Sequence, residues 1–201
     1  MAKRKTEKAV ILPRVQTAIV ELKIRGTSPL IVHRFSDKAR AMIEQKQQGK
    51  ATSGRQIRDP EEEFRNSLYT FNKNGKECYG FPASGFKKCA VSAVTSLKKS
   101  AGLTKVGVQQ AFHVLDDGDG LVEIRGKPRR RTDMVRIGRG VADVRYRAEF
   151  PEWEATLRIL YNEAAITAEQ IAGLFSVSGF GTGIGDWRPQ KGGSYGMFEV
   201  V

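Results

Sequence analysis

Only two cysteines and two histidines occur in the 201-residue chain. Cys78 and Cys89 are too few for a disulfide framework, and the scarcity points to a reducing, cytoplasmic setting. So few Cys and His residues also make no metal motif, so no metal or other cofactor is expected. No apolar run approaches the length of a membrane span, which argues against a membrane partner. The opening "MAKRKTEKAVILPR" is basic, and its apolar part is too short for a secretory h-region. Acidic residues are outnumbered: 22 Asp and Glu against 34 Lys and Arg, a net charge of +12. Such an excess predicts an anionic partner, most often nucleic acid.

The hydrophobic fraction is 40%, which marks a globular chain long enough for one domain with a real core. Its positive charge is concentrated. Between Arg125 and Arg147 stand nine basic residues (125, 127, 129, 130, 131, 136, 139, 145, 147) against Asp133 and Asp143. That clustering favours a binding surface over a generally solvated face.

Periodicity outlines the rest. Residues 1–14 form a basic arm. In "VQTAIVELKIR", Val20, Leu22 and Ile24 alternate with Glu21, Lys23 and Arg25, a half-buried strand. Ser36 and Asp37 open a short helix. Residues 46–60, rich in small polar and basic residues, form a flexible loop. Asp59-Pro60 followed by three glutamates starts a helix, with Phe64, Leu68 and Phe71 on its buried face. In "FPASGFKKCAVSAVTSLKKSAG", Phe86, Cys89, Ala90, Ala93, Val94 and Leu97 make a helical stripe, which casts Cys89 as a core residue. Short strands follow: "QQAFHVL", "LVEIR", "MVRIGRG", "VADVRYRAEF" and "WEATLRILY". The "DDGDG" between the first two is a turn, since the glutamate that completes a calcium loop is missing. Thr167 and Gln170 make a capping box for a last helix, and "YGMFEVV" is a last strand. The order gives an α+β fold, an antiparallel sheet with helices on one face, of the split βαβ, ferredoxin-like type, with a basic hairpin inserted at about 121–147.

The glycine-rich stretch "SGFGTGIGDWRPQKGGSYGMFEVV" contains neither a Walker sequence nor a dinucleotide fingerprint. Gly183 and Gly185 would let backbone approach a ligand closely, Arg188 and Lys191 would meet phosphate, and Trp187 would stack a base. In the hairpin, Met134, Val135 and Ile137 would wedge between bases, while Arg129, Arg130, Arg131, Arg136, Arg139, Arg145 and Arg147 neutralise phosphates.

A helix, a glycine-rich loop with basic residues at 179–194 and a last strand, together with the small-residue helix start in "GFPASGFKKCAVSAV", resemble the repeat-associated mysterious protein (RAMP) superfamily. Those proteins are RNA-binding subunits of CRISPR effector complexes. The resemblance implies an RRM-like or RAMP-like fold and sequence-independent binding of single-stranded nucleic acid, RNA ahead of DNA. It also implies a thumb-like hairpin laid across the bound strand, and assembly with further copies or other effector subunits along that strand. A binding role is expected ahead of an enzymatic one. Two alternatives stand beside it. One is a metal-independent endoribonuclease with His33 as general base and Lys38 stabilising charge. The other is a phage single-stranded DNA-binding or annealing protein. A structural protein with an acidic protein partner is a third and plainer reading.

Overall fold

The computed structural model describes residues 14–35, 41, 44–45, 47–49, 59–97, 102–137 and 141–201. Most of the basic arm, most of the 46–60 loop, the helix start at Ser36 and Asp37, Lys38 and Arg139 lie outside the described residues.

The centre of the molecule is a four-stranded antiparallel sheet in the order β10-β1-β9-β5. β1 is Thr17–Gly26, β5 Phe112–Leu115, β9 Glu154–Asn162 and β10 Phe198–Val200. β1 pairs along its length with β9, from Thr17 opposite Asn162 to Arg25 opposite Glu154. Two helices cover one face: α2 (Ala83–Ala93), between β1 and β5, and α4 (Ala168–Gly181), between β9 and β10. This is the βαββαβ order of the ferredoxin-like fold, as the sequence indicates.

Strand alternation explains the layering. Leu22 and Ile24 of β1, and Ala155, Leu157 and Ile159 of β9, point into the core. There they meet Phe86, Cys89 and Ala90 of α2 and Ile171, Leu174 and Phe175 of α4. The opposite face carries exposed Glu21, Lys23, Arg25, Glu154 and Arg158. Burial pushes the Cys89 thiol up to about 11, and its Sγ donates to the Ser178 carbonyl oxygen at 3.7 Å. Such a thiol packs as a small apolar group and has no nucleophilic role.

Helix starts follow the local chemistry. α1 (Pro60–Ser67) begins with Asp59 Oδ1 accepting from the Glu61 N–H at 2.9 Å. At α4, the Gln170 N–H donates to Thr167 Oγ1 at 3.2 Å, and the Thr167 N–H donates to Gln170 Oε1 at 3.0 Å. The capping box is complete, as expected.

Three boundaries differ from the sequence reading. α1 ends at Ser67, so Phe71 is not on its helical face; it is buried in β3 (Thr70–Lys73), which turns through Asn74-Gly75 into β4 (Lys76–Pro82). The stretch before His113 is a helix, α3 (Lys105–Ala111), and not a strand. Thr104 caps it by accepting from the Gly107 N–H at 3.0 Å, and Val108 and Ala111 bury one face. Finally, β6 (Leu121–Glu123) belongs to a sheet with β3 and β4. The inserted hairpin is therefore β7 (Arg129–Ile137) and β8 (Val141–Phe150), later than the expected 121–147. The "DDGDG" turn is confirmed: Asp116 Oδ2 accepts from the Gly120 N–H and Asp117 Oδ2 from the Glu123 N–H.

The hairpin is not free-standing. β2 (Leu30–Val32) pairs with β8 from Leu30 opposite Phe150 to Val32 opposite Ala148. From Arg147 to Val141 the ladder has only two strands.

Candidate nucleic-acid interface

Cross-strand register divides the hairpin side chains between two faces. One face carries Arg129 opposite Glu149, Arg131 opposite Arg147, Asp133 opposite Arg145 and Val135 opposite Asp143. The other carries Arg130 opposite Ala148, Thr132 opposite Tyr146, Met134 opposite Val144 and Arg136 opposite Ala142. The expected wedge of Met134, Val135 and Ile137 is thus split between Met134 and Val135, and the Ile137 side chain lies outside the described residues. Met134 pairs instead with Val144, and both are exposed, Met134 by 79%.

Most hairpin arginines already hold partners. Arg129 bonds Glu149 at 2.7 Å, and Arg131 bonds Asp133 at 2.7 Å and Glu149 at 3.0 Å. Arg145 bonds Asp143 at 2.9 Å. Arg130 pairs with Glu61 of α1 and lies over the Tyr146 ring. Arg147 is buried, 3.6 Å from Asp133 Oδ2 and 3.5 Å from Asp186 Oδ2. Asp133 and Glu149 are buried beside it. Arg136 is exposed toward the hairpin tip.

The glycine-rich loop meets this network. The Arg131 and Arg147 guanidinium groups each lie 5.3 Å from the centroid of the Trp187 ring, and Arg131 is 4.8 Å from that of Tyr195. Trp187 is thus a cation–π partner for the protein's own arginines. The loop is itself a folded set of turns. The Ile184 N–H donates to the Gly196 carbonyl, the Asp186 N–H to Ile31, the Tyr195 N–H to Trp187 and the Gly196 N–H to Pro29. Its glycines serve tight packing first: at Gly185, with φ +76°, a Cβ would overlap the Ile31 carbonyl oxygen. Gly183 is buried beside Pro189.

On its other side the loop touches α2. Arg188 Nη1 donates to the Gly185 carbonyl at 3.0 Å and Nε to Gln190 Oε1 at 3.3 Å. Gln190 Nε2 reaches Ser92 Oγ of α2 at 3.5 Å. Lys88 of α2 and Arg188 line one small cleft. Lys191, in a 3-10 turn at Pro189–Lys191, is exposed. Lys88, Ser92, Gln190 and Asp186 were missed in the sequence. The signal for two of them was present, since Lys88 and Ser92 stand one helical turn apart on α2.

His33 follows β2, with Nδ1 3.7 Å from Asp186 Oδ2. Burial alone would raise the Asp186 carboxyl, but the His33 hydrogen bond and the nearby Arg147, His33 and Arg188 outweigh it and hold the pKa below the usual range. A group depressed in the folded state contributes stability that is complete above its unfolded value, about 3.9, and is lost as pH falls through the folded value. Urea unfolding of Asp186→Asn should therefore show a smaller loss of stability between pH 5 and pH 3 than the parent protein. An equal loss in both would contradict the depressed pKa.

No family model matches the chain, and no curated protein matches it. Among solved structures, it is similar to Cmr6 from Pyrococcus furiosus, with a TM-score of 0.44 and 11% identity over 94% of this chain and 100% of that one. It is also similar to a chain of a CRISPR RNA-guided surveillance complex, with a TM-score of 0.39 and 10% identity over 90% of this chain and 66% of that one. Among the described residues, no helix is long and apolar enough to cross a membrane.

Proposed function

We propose that this protein binds single-stranded nucleic acid, RNA in preference to DNA, through its backbone and without reading its sequence. The observation that carries this reading is the position of the glycine-rich loop as a bridge. It is joined to the hairpin through Trp187 against Arg131 and Arg147, and to α2 through Gln190 and Ser92. Basic residues of three elements thereby meet at the loop, Arg131 and Arg147 of the hairpin, Arg188 of the loop and Lys88 of α2, on a chain of net charge +12. The paired arginines build the surface, Lys88, Arg188 and Lys191 are the cations offered to phosphates around the loop, and Arg136 is offered from the other face of the hairpin, toward its tip. The exposed Met134–Val144 pair is the apolar part of the hairpin that meets bases or a neighbouring copy. The resemblance of the loop and the α2 start to the RAMP superfamily agrees with this assignment, and side-by-side assembly along a strand follows from it.

Titration of labelled oligonucleotides of one length at several salt concentrations tests the reading. Log affinity should fall linearly with log salt, with a slope of about −0.7 per phosphate neutralised. The double variant Arg136→Glu/Lys191→Glu should weaken RNA binding about tenfold or more at 0.1 M salt, since each lost phosphate contact removes a charge-assisted bond. Lys76→Glu, at the start of β4, should stay within about twofold under the same salt-dependent electrostatics. Tighter binding of DNA would favour the DNA-binding alternative, and no binding of either strand would overturn the proposal. The His33–Asp186 pair is the observation that favours a second reading, in which Asp186 orients His33 as a general base. Cleavage of the labelled RNA in chelator, lost in His33→Ala, would favour that enzyme over a binding protein.

A further inference from the structure

Between α2 and the glycine-rich loop lies a cleft of about 130 Å3. Its floor is apolar and buried: Phe81, Cys89 and Ile184. Its polar lining includes Lys88, Ser92, Arg188 and Gln190, and among the described residues no acidic side chain lines it. This absence is informative in a molecule whose hairpin arginines are matched by carboxylates. Arg188 is fixed in place by its bonds to the Gly185 carbonyl and Gln190 Oε1. Ser92 Oγ donates its one hydrogen to the Lys88 carbonyl at 2.8 Å and accepts from Gln190 Nε2 at 3.5 Å, which leaves the second amide N–H of Gln190 for a ligand. Cations and an amide N–H around an apolar floor suit one compact, multiply charged oxyanion.

We propose that this cleft is a subsite for the terminal phosphate monoester of a bound strand. The proposal rests on the nucleic-acid reading above and adds end recognition to it. Charge and size separate an end from the interior of a strand. A phosphodiester carries one negative charge and must leave the site in two directions. A monoester carries about 1.5 to 2 negative charges at pH 7, with a second pKa of about 6, and leaves in only one. Two cations over a small floored cleft complement the monoester better. Lys88 supplies an adaptable point charge, and Arg188 supplies a planar fork already oriented by its own acceptors. Binding to an end would also set where the first copy sits, which a purely sequence-independent surface cannot do.

The test uses the full chain and three otherwise identical labelled oligouridines, ending in a 5′-phosphate, a 3′-phosphate or hydroxyls only. One phosphorylated strand should bind about tenfold tighter than the hydroxyl-ended strand at pH 7.5, the scale of a single charge-assisted contact. The preferred end identifies strand polarity. The advantage should shrink at pH 5.5, where the monoester takes up its second proton. Lys88→Ala, an exposed helix position whose loss should not unfold the protein, should abolish the advantage. The hydroxyl-ended strand should lose less affinity than the phosphorylated one, since its interior phosphates are also met by Arg136 and Lys191. Equal affinity for all three strands would overturn the end-recognition proposal and leave strand binding intact. An advantage that survives Lys88→Ala would overturn the assignment to this cleft. Failure of all three strands to bind would remove both proposals.

Discussion

Arg147→Ala should lower folding stability by about 3–5 kcal/mol, the range for breaking a buried ion pair by removing one partner. Arg147 is 9% exposed and Asp133 4% exposed, and the Arg147 Nη1–Asp133 Oδ2 contact is an ion pair without hydrogen-bond geometry. Truncation would leave Asp133 with Arg131 as its remaining cation and would strip one guanidinium from Trp187. The loss should appear as a lower urea midpoint with an unchanged slope. A second variant separates charge from packing. Arg147→Met/Asp133→Asn keeps much of the volume and removes both charges, and replacement of a buried pair by neutral groups is often close to neutral. It should therefore recover at least half of the single-variant loss. Equal destabilisation in both variants would show that shape, and not the lost cation beside Asp133, governs this site.

Gly196→Ala should be comparably damaging, by about 3 kcal/mol or more from left-handed backbone strain plus a steric overlap that cannot relax. Gly196 has φ +65°, its N–H donates to the Pro29 carbonyl, and a Cβ would overlap the Ile184 carbonyl oxygen. Gly192 is the control. Its φ is +79°, but nothing lies within 4 Å of the place a Cβ would take. Gly192→Ala should cost only about 1–2 kcal/mol, the backbone term alone. Thermal unfolding of the two variants compares them directly. Similar losses would mean that backbone conformation alone, and not close packing, requires glycine in this loop.

The contrast between these glycines explains why the loop was only partly legible in the sequence. The stretch 179–194 stands out by composition, and its helix–loop–strand setting is visible because the capping box at Thr167 and the alternation in the last strand are local. Its conformation is not. The sequence reading gives its glycines to close approach of a ligand, whereas several of its N–H groups bond Ile31, Pro29 and its own carbonyls. The first two acceptors stand in or beside β2, far away in the chain. Likewise, the shortened α1 and the helix at Lys105–Ala111 depend on Leu68, Phe71, Val108 and Ala111 finding a buried place. Tertiary packing overrides propensity in segments this short.

Strand alternation, helix caps, the stripe on α2 and the excess of cations were determined by the sequence alone, because each depends on neighbours within a few positions. From them came the ferredoxin-like order and the basic hairpin. Only the tertiary structure decided which cations remain available. Arg130 is taken by Glu61, Arg131 and Arg129 by Glu149, and Arg147 by Asp133 and Asp186. Glu61 and Asp186 come from distant parts of the chain, and Glu149 and Asp133 from the same hairpin. Charge can be counted residue by residue, but its neutralisation depends on distances through space, and folding sets those distances.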